Sequence, residues 1–126
     1  MKARLPVVVL GLLLTGVECG SGAGLGEIPA GGEASGEEVF GASGCSGCHV
    51  EPGGAVAPSL LGLYGSEVLL EDGETVVADE AYLRESIVSP GTKLVSGYQR
   101  LMPEFQGLLT DEQVDALIAY IRSPGD

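Results

Sequence analysis

The chain has 126 residues and carries 6 Lys+Arg against 18 Asp+Glu, a formal charge of -12, which excludes a nucleic-acid binder and electrostatic attachment to anionic lipid heads. Its length leaves room for one small domain. With no Trp, two Phe, four Tyr and 21 Gly, the side chains offer only a thin core, so a bulky cofactor that completes it is the first expectation.

Lys2 and Arg4 make a short positive start, and Leu5 to Val17 follows as an apolar run interrupted by Pro6, Gly11, Thr15 and Gly16. As a helix this run rises about 20 Å, short of the roughly 30 Å hydrocarbon core of a bilayer. Residues 1–19 therefore read as an export signal rather than a spanning helix. Removing residues 1–18 takes away Lys2, Arg4 and Glu18, a net +1, and leaves the mature chain near -13. Cys19 is an odd cysteine placed directly after the apolar run. Its position fits a lipoprotein signal with a diacylated thiol. Glu18, where a small residue is usual, fits an ordinary cleavage among Gly20 to Gly24 instead. The lipidated reading is taken forward. Residues 20–36 are rich in glycine and small side chains and poor in large apolar ones, so they read as a flexible tether. The folded domain is expected over 37–126.

Glu37 to Ser43 predicts a short helix with acidic residues in its first turn, where the helix dipole favours them, and with Val39 and Phe40 as its apolar contact. Next comes Cys45-Ser46-Gly47-Cys48-His49, two thiols three positions apart with a histidine immediately after. This is the attachment signature of a c-type haem. Two thiols on a short, compact loop reach two vinyl groups on one porphyrin edge, and the adjacent His49 is delivered to the iron from one face. Two other readings compete. A thioredoxin-like disulfide switch needs a βαβ pattern, and none surrounds the pair. A four-ligand zinc site would have to add to the pair the sole histidine and Cys19, the one other cysteine, or else carboxylates, which fits poorly.

A second axial ligand cannot be another histidine of this chain. Met102 is the methionine left after the signal is removed; it lies 53 residues after His49 and is followed by Pro103, which stiffens its loop. Alone, Met102 reads equally well as a core filler; beside a haem it reads as the second ligand, with Lys93 the weaker rival. A metal-bound histidine usually donates its other ring N–H to a carbonyl or carboxylate. The backbone of Pro58 is rigid enough to present one, although an ordinary loop proline explains it as well.

Leu69 to Val77 predicts a hairpin turning at Asp72-Gly73. Asp79 caps a helix that runs to about Ser89, where Pro90-Gly91 ends it. Thr110 to Ser123 is the clearest helix: Thr110 and Gln113 form a capping box, and Val114, Leu117, Ile118 and Ile121 make one apolar stripe. Tyr64, Tyr82, Tyr98 and Tyr120 read as amphipathic packing residues, one of them available to a haem propionate.

Taken together these residues resemble class I cytochrome c over nearly all of 37–126. The resemblance implies an all-α fold with three main helices around one covalent haem, here with a small β-hairpin insertion. It also implies a proline carbonyl on the ligand histidine, which falls on Pro58, and a crossing of the first and last helices at Gly36 and Phe40 against Leu117 and Tyr120. A finer similarity is to the cytochrome c domain fused to subunit II of bacterial haem–copper (caa3-type) oxidases. Gly62-Leu63-Tyr64-Gly65, the hairpin, the helix after Asp79, and Tyr98 with Met102-Pro103 carry it. The copper domain of those subunits has no counterpart here, and Glu104 stands where a second proline is frequent.

The resemblance implies a one-electron carrier between exported or membrane redox proteins, in the periplasm or on the outer face of the membrane, that feeds a terminal oxidase. It implies no enzymatic role, and the sequence shows no nucleophile–base pair or paired carboxylates in a plausible site. The electron port is expected at the Cys45–Cys48 edge, beside the small residues Ser46, Gly47 and Ala55. A ligand-binding or peroxidase-like haem protein, and a fixed relay subunit of a larger complex, are the alternatives. Diacylation of Cys19 predicts that the exported protein partitions into detergent and that Cys19→Ser shifts it to the aqueous phase; equal partitioning of both would favour simple cleavage.

Overall fold

The computed structural model describes residues 33–124. The export signal, Cys19 and residues 20–32 of the expected tether lie outside the described residues. Helix α1 (Gly36–Ala42) is capped by Ser35, whose Oγ accepts from the Glu38 N–H at 3.3 Å while the Glu38 carboxylate accepts from the Ser35 N–H at 2.9 Å. This reciprocal box satisfies two donors at the helix start, and the Ser35 N–H bond holds the Glu38 carboxyl below its usual range. Ser35 is thus the cap of α1 and Gly36 its first residue, directly ahead of the Glu37 start expected for this helix.

A single 3-10 turn, Cys45–Gly47, follows Gly44, which adopts a left-handed φ of 77°. The two-stranded sheet pairs β1 (Glu67–Leu69) with β2 (Thr75–Val77) in antiparallel register, with Val68 opposite Val76. Its turn is the expected Asp72-Gly73, where Asp72 Oδ1 accepts from the Glu74 N–H at 2.9 Å and Gly73 takes a φ of 88°. The first strand starts two residues earlier than its apolar pattern suggests. Helix α2 (Glu80–Val88) is capped by Asp79, which accepts from the Tyr82 N–H at 2.8 Å. Helix α3 (Asp111–Arg122) carries the Thr110–Gln113 box.

The three helices share one core. Val39 of α1, Tyr82, Leu83 and Ile87 of α2, and Val114, Leu117, Ile118 and Ile121 of α3 are all buried, with Val68, Leu70, Ala78 and Phe105 from the connections. α1 packs against α3 where the Phe40 and Tyr120 rings meet at 5.3 Å. An ion pair from Arg84 to Asp115 ties α2 to α3 on the outside. At the α1–α3 contact there is no room for a side chain on Gly36: an added Cβ would fall 2.1 Å from the Ala116 carbonyl oxygen and 2.5 Å from Tyr120 Cβ. Gly41, five residues on, has open space around it. Gly36→Ala is thus expected to destabilise the fold by about 1–3 kcal/mol through overpacking. Gly41→Ala is expected to leave stability unchanged or raise it by about 0.5–1 kcal/mol, as alanine does in a helix. Denaturant titration of both variants checks the pair.

Candidate functional site

One cleft gathers the chemistry that the sequence spreads along the chain. Its lining includes Cys45, Cys48 and His49 from the 3-10 turn, Pro58 from the following loop, and Met102 from the loop before α3. The walls between them are almost wholly apolar: Phe40 of α1, Leu83 and Ile87 of α2, Leu94 and Phe105 of the long loop, and Leu117 and Ile121 of α3. Lys93 and Tyr98 also line it.

His49 is held by two kinds of contact. Its backbone N–H donates to the Cys45 carbonyl, four residues back, at 2.9 Å and so ties it to the start of the 3-10 turn. Its ring Nδ1 lies 3.0 Å from the Pro58 carbonyl oxygen. A carbonyl only accepts, so Nδ1 is the donor in this bond, which leaves Nε2 as the ring nitrogen for a metal. The Pro58 carbonyl is the partner of the histidine ring in this structure. The loop that carries it is braced by Glu51, whose carboxylate accepts from the Ser59 hydroxyl and from the N–H groups of Leu60 and Leu61 at 2.9 and 3.2 Å. These bonds, with the Ser59 hydroxyl first, hold the Glu51 carboxyl below its usual range.

The Met102 segment is braced on both sides. Before it, the Glu71 N–H donates to the Leu94 carbonyl at 2.8 Å and the Ser96 N–H to the Leu69 carbonyl at 2.9 Å, so residues 94–96 lie along the hairpin edge. Arg100 donates to the Gly91 carbonyl at 2.7 Å, and its guanidinium packs so closely that a Cβ on Gly91 would meet it at 2.8 Å. After Met102, the Gln106 N–H donates to the Val88 carbonyl at the end of α2. Lys93 is engaged elsewhere: its Nζ sits 2.7 Å from Glu85, and that bond raises its pKa. A lysine kept as ammonium has no lone pair to offer a metal.

The cysteines are not joined to each other, and burial pushes the Cys45 thiol up. A redox-switch cysteine needs the opposite shift. Among the described residues no three His, Cys, Asp or Glu side chains converge on a point, so the zinc reading also lacks its ligands.

Residues 33–124 match the cytochrome c family over that whole span. This chain belongs to the cytochrome c family. It therefore binds haem c covalently and carries electrons, as members of the family do. Cytochrome cH from Methylobacterium extorquens has a similar structure, with 27% identity and a TM-score of 0.50 over 70% of this chain and 94% of that one. No curated relative matches.

The cleft fits such a group by its own chemistry. A flat, largely apolar ring system would replace water against the apolar walls, and the donor set of one imidazole and one thioether is the kind that holds haem iron. The Ser43 hydroxyl is buried in the cleft wall without a hydrogen-bond partner, and the Ser86 hydroxyl has none in good geometry although the Tyr82 phenol stands beside it. Buried hydroxyls of this sort are normally satisfied, which marks the cleft as shaped for something more than side chains. The sequence assigns neither serine a role at the site, because a lone Ser carries no signal of which way it points. Glu51 and Arg100 carry none either, since their partners lie many positions away.

Proposed function

We propose that Cys45 and Cys48 hold the haem by thioether bonds, that His49 Nε2 and Met102 Sδ are its axial ligands, and that the chain relays single electrons between exported or membrane redox proteins. The observation that carries this reading is the convergence of His49 and Met102 on one apolar cleft, with the outer nitrogen of His49 already committed to Pro58. The bound haem supplies a one-electron Fe(III)/Fe(II) couple. The chain supplies the setting: a neutral thioether and apolar walls disfavour the extra charge of the oxidised state and so raise the potential. Braced loops on both sides keep the ligands in place in either state, so little rearranges when the charge changes.

Cys48 is exposed, and the exposed side chains of Val56 and Leu101 sit on the cleft's rim. This edge is the port through which a partner approaches. Every basic side chain of the described domain is engaged: Arg84 with Asp115, Lys93 with Glu85, Arg100 with Gly91 and Arg122 over the Tyr64 ring. The remaining surface is acidic, which suits a partner whose docking face is basic around an apolar centre. The finer similarity to the oxidase-fused cytochrome domains supports a terminal oxidase as the acceptor. No helix among the described residues is long and apolar enough to cross a membrane, and in this reading Cys19 provides the anchor on the periplasmic or outer face.

The reduced protein is expected to show sharp low-spin c-type bands that carbon monoxide leaves unchanged. Met102→Ala is expected to open the iron to carbon monoxide, whereas Lys93→Ala leaves the spectrum as it was. A wild-type spectrum that shifts with carbon monoxide would point to a ligand-binding or peroxidase-like protein instead.

A further inference from the structure

The loop between the histidine and its carbonyl partner is more tightly built than a surface connection requires. Residues 50–61 turn back on themselves twice, with the Gly53 N–H donating to the Val50 carbonyl at 2.7 Å and the Gly54 N–H to the Ala57 carbonyl at 3.2 Å. Gly53, at a φ of 111°, lies against the Ser59 backbone, where an added Cβ would come within 3.2 Å of its nitrogen. Across this loop the Glu51 carboxylate receives the Ser59 hydroxyl and the Leu60 and Leu61 N–H groups. The peptide carrying the Pro58 carbonyl is thus fixed on both sides, by Gly54 on Ala57 and by Glu51 on the three residues that follow.

We propose that Glu51 is a positioning residue for the His49 ligand: it locks the 59–61 backbone and so aims the Pro58 carbonyl at Nδ1. The inference rests on the ligation reading given above. The energetic logic is indirect. A well-aligned Nδ1–H···O=C bond makes the imidazole a better electron donor to a bound metal, and electron donation to the iron favours its oxidised state. Loosening the carbonyl weakens the bond, makes His49 a poorer donor and raises the reduction potential. A glutamate that served only to stiffen the loop would change thermal stability without touching either the histidine proton or the potential.

The test uses the full-length, haem-loaded protein with Glu51→Ala and Glu51→Gln. Two quantities are read: the exchange rate of the His49 Nδ1 proton in the reduced, diamagnetic state by NMR, and the reduction potential. Glu51→Ala is expected to speed the exchange on the order of tenfold, as local opening of the loop becomes easier, and to raise the potential. Glu51→Gln keeps an acceptor oxygen for the two N–H groups and is expected to stay near wild type in both. The proposal is overturned if Glu51→Ala leaves exchange and potential unchanged while only the melting temperature falls, or if Glu51→Gln matches Glu51→Ala. Should Glu51→Ala not mature with haem, Ser59→Ala removes one of the three bonds and must give a smaller shift in the same directions; no shift overturns the proposal. A failure of the ligation reading itself would show in wild type, as the absence of a low-spin spectrum, before any variant is compared.

Discussion

The imidazole of His49 has one nitrogen already spent. Nδ1 lies 3.0 Å from the Pro58 carbonyl, which holds the ring against the loop while His49 lines the cleft. Much of the surrounding architecture can be understood as serving that constraint. The 3-10 turn of Cys45–Gly47 brings the two thiols and the histidine backbone together within five residues. The loop 50–61 returns the proline to the ring, and Glu51, itself exposed, ties its far end down. The donors favour the ionised carboxylate and hold its pKa down, so the tie is at full strength across neutral pH and weakens as pH falls below the ordinary carboxylate range.

The Met102 part of the cleft depends on a different device. Met102 sits on a segment with no helix or strand of its own, yet its neighbours are bonded to three other parts of the chain. The hairpin edge holds 94–96, Gly91 holds Arg100, and the end of α2 holds Gln106. The small sheet has little core of its own and two of its apolar side chains, Leu69 and Val77, are half exposed. Its value lies in offering backbone partners to the ligand loop. Lys93, which the sequence offered as a rival ligand, is drawn instead into an ion pair with Glu85. The α1–α3 contact closes the back of the cleft, and Gly36 lets it close because no side chain intervenes there.

What could be read from the sequence was what is encoded locally. The thiol–histidine motif, the Asp72-Gly73 turn, the Asp79 cap and the Thr110–Gln113 box each occupy a few consecutive residues, and each stands where expected. The apolar stripe of α3 is buried as its 3.6-residue period requires. The box of Ser35 and Glu38 is equally local, but the glycine-rich stretch around Ser35 masks it. The braces were not legible at all. Glu51 with Leu60, Arg100 with Gly91, and Ser96 with Leu69 join residues many positions apart, and nothing in a single sequence marks an exposed Glu or Arg as a strut. Met102 fell between these cases: composition made it the sole methionine available, but only the fold shows it lining the same cleft as His49.

The central claim is that a haem iron in this cleft is held between His49 and Met102. The proton NMR spectrum of the reduced, haem-loaded protein tests it most directly, because the haem ring current moves a methyl group lying over the iron far upfield. One such three-proton line is expected, assigned to the Met102 ε-methyl and absent in Met102→Ala. A Met102 methyl resonance at the ordinary position for a buried methionine, in a protein whose haem is covalently attached, would contradict it.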